Sequence, residues 1–271
     1  MLAFPNAKIN LGLNVTGARP DGFHDIETVL FPVAFRDVLE IIPSGEQPDE
    51  FQHSGLTIPG KVEENLCIRA YTLLKDELLI PTIRMHLHKV IPMGAGLGGG
   101  SSDAASAIKL LNDLFSLALS PLQMMQYAHK LGSDCEFFIE NKPVFASGRG
   151  DQFETVKLNL DGYSIAIVIP PVHVSTAEAY EKIAINKPVE SIQAILKVSP
   201  GEWKDRLVND FEGSVFQRHP EILQIKEKMY AAGAVYASMS GSGSAVYGLF
   251  DQQLPDLNSF NGCITWSGKM S

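Results

Sequence analysis

The sequence predicts a fold of alternating strands and helices, α+β or mixed α/β. Three observations carry this. "TIRMHLHKV" alternates cleanly, with Ile83, Met85 and Leu87 on one face and Arg84, His86 and His88 on the other, as a half-buried strand requires. After the glycine run that follows, Ala104, Ala107, Ile108, Leu111 and Leu114 recur at helical spacing. Further on, two apolar strand-like runs, "SIAIVIP" and "SAVYGLF", flank another helical pattern.

Taken in order, the strand at 83–89 leads into the glycines, and the spacing beyond them predicts a helix from about Ser102 to Phe115. Ser120 caps the next helix, with Pro121 at its first position and Gly132 just past its end. "FASGRGDQFETV" is rich in turn residues, and a new strand starts near Tyr163. We place a boundary there, giving domains 1–153 and 154–271. "FEGSVFQRHPEILQIKEKMYAAGA" predicts one later helix, with Pro220 near its start and Gly233 as its stop. No repeat or low-complexity segment interrupts this order.

The composition is that of a globular chain: 271 residues, 45% hydrophobic and 20% charged. A net charge of −9 argues against a nucleic-acid partner. It also means that an anionic substrate needs local positive charge. Cys67, Cys135 and Cys263 are far apart and lack metal-type spacing, which predicts free thiols in a reducing compartment. "MLAFPNAKINLGLNV" has no basic stretch before an apolar core, and "YSIAIVIPPV" is too short to span a bilayer. The expectation is a cytoplasmic protein with no membrane partner, monomeric or weakly dimeric.

The chemistry centres on "IPMGAGLGGGSSDAAS". Each glycine weakens ordinary structure by roughly 0.5–1 kcal/mol relative to alanine, so the run needs a reason. A phosphate-binding loop supplies one. Glycines allow positive φ and close backbone approach, successive N–H groups turn toward an anion, and the following helix adds its positive end. Ser101 and Ser102 add hydroxyls for a phosphate oxygen or a magnesium ion. No Gly-Lys-Ser/Thr closes the run, so it is not a Walker A loop. Gly94-x-Gly96-x-x-Gly99 also fits a dinucleotide turn, but that unit needs a second strand where the Pro121 helix stands. A glycine hinge or lid is the remaining alternative.

"PNAKINLGLNVTGARPDGFHDIETVL", "IPMGAGLGGGSSDAA" and "SMSGSGSAVYGLF" occur in this order, together with "ENLCIRAY" and "LVNDFE". In order and spacing they resemble the GHMP kinase superfamily. Nearly the whole chain to about Gln253 takes part. The resemblance implies a two-domain α+β GHMP kinase fold. Its N-terminal domain would be ribosomal-protein-like, with a left-handed βαβ crossover, and its C-terminal domain ferredoxin-like, with the active site between them. It implies an ATP-dependent small-molecule kinase, with magnesium, acting on a diphosphocytidyl-linked methylerythritol in isoprenoid synthesis. Other readings are a GHMP kinase for homoserine, mevalonate or a sugar, or a non-catalytic nucleotide-binding regulator.

Carried onto this sequence, the resemblance assigns the ATP phosphates to Pro92, Met93, Gly94, Ala95, Gly96, Leu97, Gly98, Gly99, Gly100, Ser101 and Ser102, and puts Asn65 near the adenine. Asp134 would be the general base or would orient the hydroxyl, and Lys8 would pair with it. Without the resemblance, Asp134 reads as a helix cap and Lys8 as a surface cation. Substrate would be read by Asn10, Phe23, His24 and Tyr180 and by the Ser240–Gly241–Ser242–Gly243 turn. Phe23 and Tyr180 would sandwich the cytosine, one ring from each domain, and His24 would take its edge; the plainer reading makes both rings core. Phe23 stands where many relatives carry tyrosine. Glu136, near Asp134, departs from the family pattern and is expected to face solvent. Arg149-Gly150-Asp151 reads as a turn, and His86 with His88 as a solvated strand face rather than a metal pair.

Overall fold

The computed structural model describes residues 1–181, 183, 185 and 188–270. In chain order the strands are β1 (Leu2–Ala3), β2 (Asn6–Ala18), β3 (His24–Arg36), β4 (Val38–Pro43), β5 (Glu50–Gly55), β6 (Ile83–Lys89), β7 (Val144–Ser147), β8 (Gln152–Thr155), β9 (Ser164–Ile169), β10 (Tyr236–Met239), β11 (Val246–Phe250) and β12 (Ile264–Lys269). The helices are α1 (Leu66–Leu78), α2 (Gly99–Leu114), α3 (Pro121–Leu131), α4 (Ser133–Glu140), α5 (Thr176–Tyr180), α6 (Ile192–Ile195), α7 (Phe211–Arg218) and α8 (Pro220–Ala231). Two compact units interleave along the chain. The first comprises Met1–Ala7, Arg36–Met93 and Gly98–Lys142; the second comprises Lys8–Phe35, Gly94–Leu97 and everything from Pro143 on.

In the first unit a four-stranded sheet runs β1-β4-β6-β5. β5 is parallel to β6 across α1, so these elements form a βαβ unit; the other pairings are antiparallel. β6 alternates as its sequence predicts, with Ile83, Met85 and Leu87 buried and Arg84, His86 and His88 exposed. His86 and His88 both share the Ser54 hydroxyl. α2 packs against α1, α3 and α4, burying Ala104, Ala107, Ile108 and Leu111. It begins at Gly99, three residues before the expected start, because Gly98 caps it in the left-handed region with φ +69°. α3 has the expected bounds. Ser120 accepts from the Gln123 backbone N–H, and the Gln123 side chain returns to Ser120 in a capping box.

The second unit holds two sheets, β2-β3-β7-β8 and β10-β11-β9-β12. The second of these is antiparallel throughout, and its outer strand β12 returns beside the first strand, β9. That is a ferredoxin-like strand order. Between β11 and β12 stands a 3-10 turn at Leu257–Ser259 where that fold usually has a second helix. Val168 and Val246 of the sheet bury against Phe211, Val215, Ile222 and Met229 of α7 and α8. The single helix expected here is two. The chain breaks at His219, with φ −126° and ψ 69°, because the residue before a proline is pushed out of the helical region and Pro220 has no N–H to continue α7.

Candidate active site

The first unit carries the helical end of the glycine run. The first intrahelical bond of α2 runs from the Ser102 N–H to the Gly98 carbonyl, at 2.9 Å. The N–H groups of Gly99, Gly100 and Ser101 therefore precede any helical acceptor and lie at the positive end of a sixteen-residue helix. A Cβ at Gly99 would sit 2.9 Å from Ile91 Cγ2 and 3.0 Å from Lys89 Nζ, so this position is glycine for packing as well.

Lys89 is the residue the sequence reading missed. It is fully buried, and its ammonium donates to Asp37 and, at 2.7 Å, to Asp103. The other Asp37 oxygen accepts from the N–H groups of Val90 and Ile91, at 2.6 and 2.8 Å, which fixes the chain where it enters the glycine run. Burial, with Asp37 as a neighbouring like charge, pushes the Asp103 carboxyl up to about 7 against the pull of Lys89. A signal for Lys89 existed: it continues the buried parity of Ile83, Met85 and Leu87. Ser54, Asp37 and Asp103 gave none.

Asn65 caps α1, its Oδ1 accepting from the Cys67 N–H at 2.9 Å. It lines a concave cavity with apolar walls from Ile58, Pro59, Leu66, Leu87 and Met93, and with Gly100 of the glycine run. Asp134 lies in the first turn of α4, half-buried. Gly132 takes the N-cap position, so Asp134 stands in the first turn rather than at the cap itself. The next residue, Cys135, is buried and its thiol is hydrogen-bonded to Ser101, which brings the start of α4 to the start of α2. Burial pushes that thiol up to about 11. Glu136 does not simply face solvent: it is mostly buried and meets His129 Nδ1 at 3.2 Å, which turns its charge to the α3 side.

In the second unit, β2 is buried on both faces. Ile9, Leu11 and Leu13 take one parity; Lys8, Asn10 and Asn14 take the other. Lys8, expected as a surface cation without the resemblance, is 4% exposed. Its ammonium donates to Asn10 Oδ1 at 2.6 Å, and Asn10 Nδ2 donates to Thr28 Oγ1 at 3.0 Å. Lys8 N–H also donates to the Leu97 carbonyl, at 2.9 Å.

The Gly94–Leu97 part of the glycine run lies against the Ser240–Gly243 turn. Ser240 Oγ donates to the Gly96 carbonyl at 2.9 Å, and the Ala245 N–H to the Ala95 carbonyl at 3.1 Å. Gly94 and Gly96 have φ of +67° and +78°. Ser240 and Gly243 are buried and Ser242 is half-buried. Asn10 belongs to this same network, since its N–H donates to Ser240 Oγ at 3.3 Å.

The aromatic residues are arranged differently from the expected sandwich. Phe23 and Tyr180 belong to the same unit, not to two. Tyr180 stacks on His24, with ring centroids 4.5 Å apart and planes 18° apart, and meets the edge of Phe211. Phe23 is 56% exposed, with the Arg149 guanidinium 5.3 Å from its ring centre. His24 was assigned to the base edge; here it covers a face of Tyr180. The cause is tertiary packing, which sets Tyr180 half-buried beside Phe211.

All three cysteines are free, and among the described residues no helix is long and apolar enough to cross a membrane. Also among the described residues, no cluster of His, Cys, Asp and Glu forms a metal cage.

Family models described as "GHMP kinases N terminal domain" and "GHMP kinases C terminal" match residues 65–141 and 191–257. The chain is 48% identical to a 4-diphosphocytidyl-2-C-methyl-D-erythritol kinase of Parabacteroides distasonis and 51% identical to one of Bacteroides thetaiotaomicron, each match covering all of both chains. A crystal structure of 4-(cytidine 5'-diphospho)-2C-methyl-D-erythritol kinase superposes with a TM-score of 0.83 at 30% identity, covering 99% of this chain and 98% of that one.

Proposed function

Because the chain belongs to the GHMP kinase family, we propose that it transfers the γ-phosphoryl group of ATP to the 2-hydroxyl of 4-diphosphocytidyl-2-C-methyl-D-erythritol. The observation that carries this is the extent of the identity. About half the residues match across the whole length of relatives bearing that name, so the regions outside the glycine run are shared as well. The chain is a small-molecule kinase of the non-mevalonate isoprenoid route.

Phosphoryl transfer asks mainly for positioning and charge stabilisation. The backbone N–H groups of the Pro92–Ser102 run hold the phosphates, and Asn65 and its apolar cavity hold the adenine. The donor set fits a polyphosphate: three N–H groups at a helix start and glycines without a Cβ, with the half-buried Ser101 hydroxyl beside them, whereas Ser102 is buried. With no carboxylate cage among the described residues, magnesium would be carried by the phosphates, with the Ser101 hydroxyl as the protein's contribution. When bound it neutralises phosphate charge.

Asp134 takes or orients the proton of the substrate hydroxyl as that oxygen attacks the γ-phosphorus. The bond from phosphorus to the bridging oxygen breaks, and ADP leaves with the electron pair. Lys8, held by Asn10, offsets the developing negative charge. Phe23, His24 and Tyr180 read the cytosine: His24 yields the face of Tyr180 to the base and turns a ring nitrogen to its edge. The Ser240–Gly243 turn lines the substrate side.

We further propose a cytoplasmic protein, monomeric or weakly dimeric, whose N-terminal domain ends near residue 153; limited proteolysis that cuts within 148–158 would support that boundary.

The test is an ADP-release assay with the diphosphocytidyl substrate beside its uridine analogue, homoserine, mevalonate and a hexose. Turnover with the cytidine compound far above the rest is expected. Equal or better turnover with any other alcohol overturns the substrate assignment, and no ATP turnover with any of them makes the chain a nucleotide-binding regulator.

A further inference from the structure

"LVNDFE" helps to identify the family, yet none of the roles above uses it. Its asparagine, Asn209, is 3% exposed and lies just before α7. Its backbone is pinned to β2: Leu13 N–H donates to the Val208 carbonyl at 2.9 Å, and Asp210 N–H donates to the Leu13 carbonyl at 2.8 Å. Asp210 Oδ2 accepts from the Val15 N–H at 2.7 Å, next along the same strand. The side chain therefore projects from a rigid base.

Both bonds from Asn209 Nδ2 go to one turn. It donates to the Met239 carbonyl and to the Gly241 carbonyl, each at 2.8 Å. These carbonyls straddle Ser240. Asn209 Oδ1 accepts from the Phe211 N–H at 3.1 Å, which fixes which way the amide faces. Ser240 then reaches the glycine run through the Gly96 carbonyl and reaches Asn10 through its N–H. Asn10 in turn holds the Lys8 ammonium.

We propose that Asn209 is a positioning residue for phosphoryl transfer: it fixes the Ser240 turn, and through Ser240 it sets the Gly94–Leu97 backbone and the Asn10–Lys8 pair. This rests on the kinase reading above. Asn209, 3% exposed, acts through these bonds and not by touching nucleotide or acceptor. Its effect is geometric, because displacing a reacting group by about 1 Å can cost on the order of 100-fold in rate. The chemistry of the position is specific: two donors are needed on one atom facing two carbonyls, and an acceptor on the other. Aspartate keeps the shape and the bond to Phe211 but sets a carboxylate oxygen against both carbonyls.

The experiment compares wild type with Asn209→Asp, Ser240→Ala, the double variant and Glu212→Gln, measuring kcat, KM for each substrate and the thermal midpoint. Glu212 is the control. It accepts from the Met239 N–H and Ser238 Oγ at the end of β10 but makes no bond to Ser240 or Gly241, so its variant should lose stability and keep kcat. Asn209→Asp and Ser240→Ala should each lower kcat on the order of 10- to 100-fold, and the double variant should lose no more than the worse single one. The inference is overturned if Asn209→Asp keeps kcat within about twofold of wild type while only its thermal midpoint falls, or if the two losses multiply. Ser240→Ala removes one hydroxyl and decides the matter alone if Asn209→Asp does not fold: unchanged kcat there overturns the relay. An inactive wild type would count against the kinase reading; an active wild type with these variants unaffected counts against Asn209.

Discussion

Gly96→Ala tests whether the glycine run is a shaped cradle or merely a loose one. At φ +78° an L-residue costs about 1–2 kcal/mol. The added Cβ would lie 1.9 Å from the Ser240 carbonyl oxygen, a backbone atom. Even a tight 3.0 Å contact requires the two segments to part by about 1.1 Å. That movement breaks the Ser240 Oγ bond to Gly96 and strains the Ala245 bond to Ala95, at 2.9 and 3.1 Å. With about 1 kcal/mol net for each, the total approaches 3–4 kcal/mol. The expected result is a loss on the order of 100- to 1,000-fold in kcat/KM for ATP, with ATP affinity by calorimetry falling in parallel. Gly162→Ala is the control, since its φ is +91° but nothing lies within 4 Å. It should cost about 1 kcal/mol of stability and leave kinetics alone. If Gly96→Ala binds ATP within threefold of wild type, the segment does not shape the phosphate site and the reasoning fails.

Asp134→Asn should lower kcat on the order of 100- to 10,000-fold with ATP affinity within a few-fold, by steady-state kinetics and calorimetry; near-normal turnover refutes its role. Lys8→Met should also slow turnover, with a strongly non-additive double variant. Tyr180→Ala should raise the KM for the diphosphocytidyl substrate roughly 5- to 150-fold without changing that for ATP, since base stacking is worth about 1–3 kcal/mol; Tyr180→Phe should be mild, and a loss shared equally with ATP returns Tyr180 to the core. For Asp103, the folded state binds a proton more tightly than the unfolded chain, because its carboxyl is raised from 3.8 to about 7. Its contribution to stability is therefore full below about pH 4 and is lost as pH rises through about 7. The thermal midpoint of Asp103→Asn relative to wild type should accordingly climb by a few degrees from pH 5 to pH 8. A flat difference would mean that Lys89 keeps Asp103 ionised throughout.

What the sequence disclosed was local. The β6 alternation and the Ser120–Pro121–Gly132 punctuation of α3 need only neighbouring residues, and both elements stand where those signals put them. The glycine run is similar: its chemistry depends on φ angles and on a helix start within a few residues. Local signals failed where two stretches compete. "FEGSVFQRHPEILQ" is helical on both sides, and the spacing alone could not weigh the proline against the continuing apolar stripe. They failed again where a residue's role is defined by something distant in the chain. A lysine at the buried parity of β6 announces that a charge must be compensated, but not that Asp37 and Asp103 compensate it. An aromatic such as Tyr180 announces a ring to be buried or stacked; that His24 takes its face follows from a meeting of α5 with β3 that periodicity does not encode. The same limit explains why five glycines between 94 and 100 read as one uniform run although they do different work. Gly99 is small because Lys89 and Ile91 lie beneath it, and Gly96 because the Ser240 carbonyl stands against it. A substitution scan along the run should therefore give two patterns: loss of stability at Gly99, where the neighbours are core side chains, and loss of nucleotide handling at Gly96, where the neighbour is another loop.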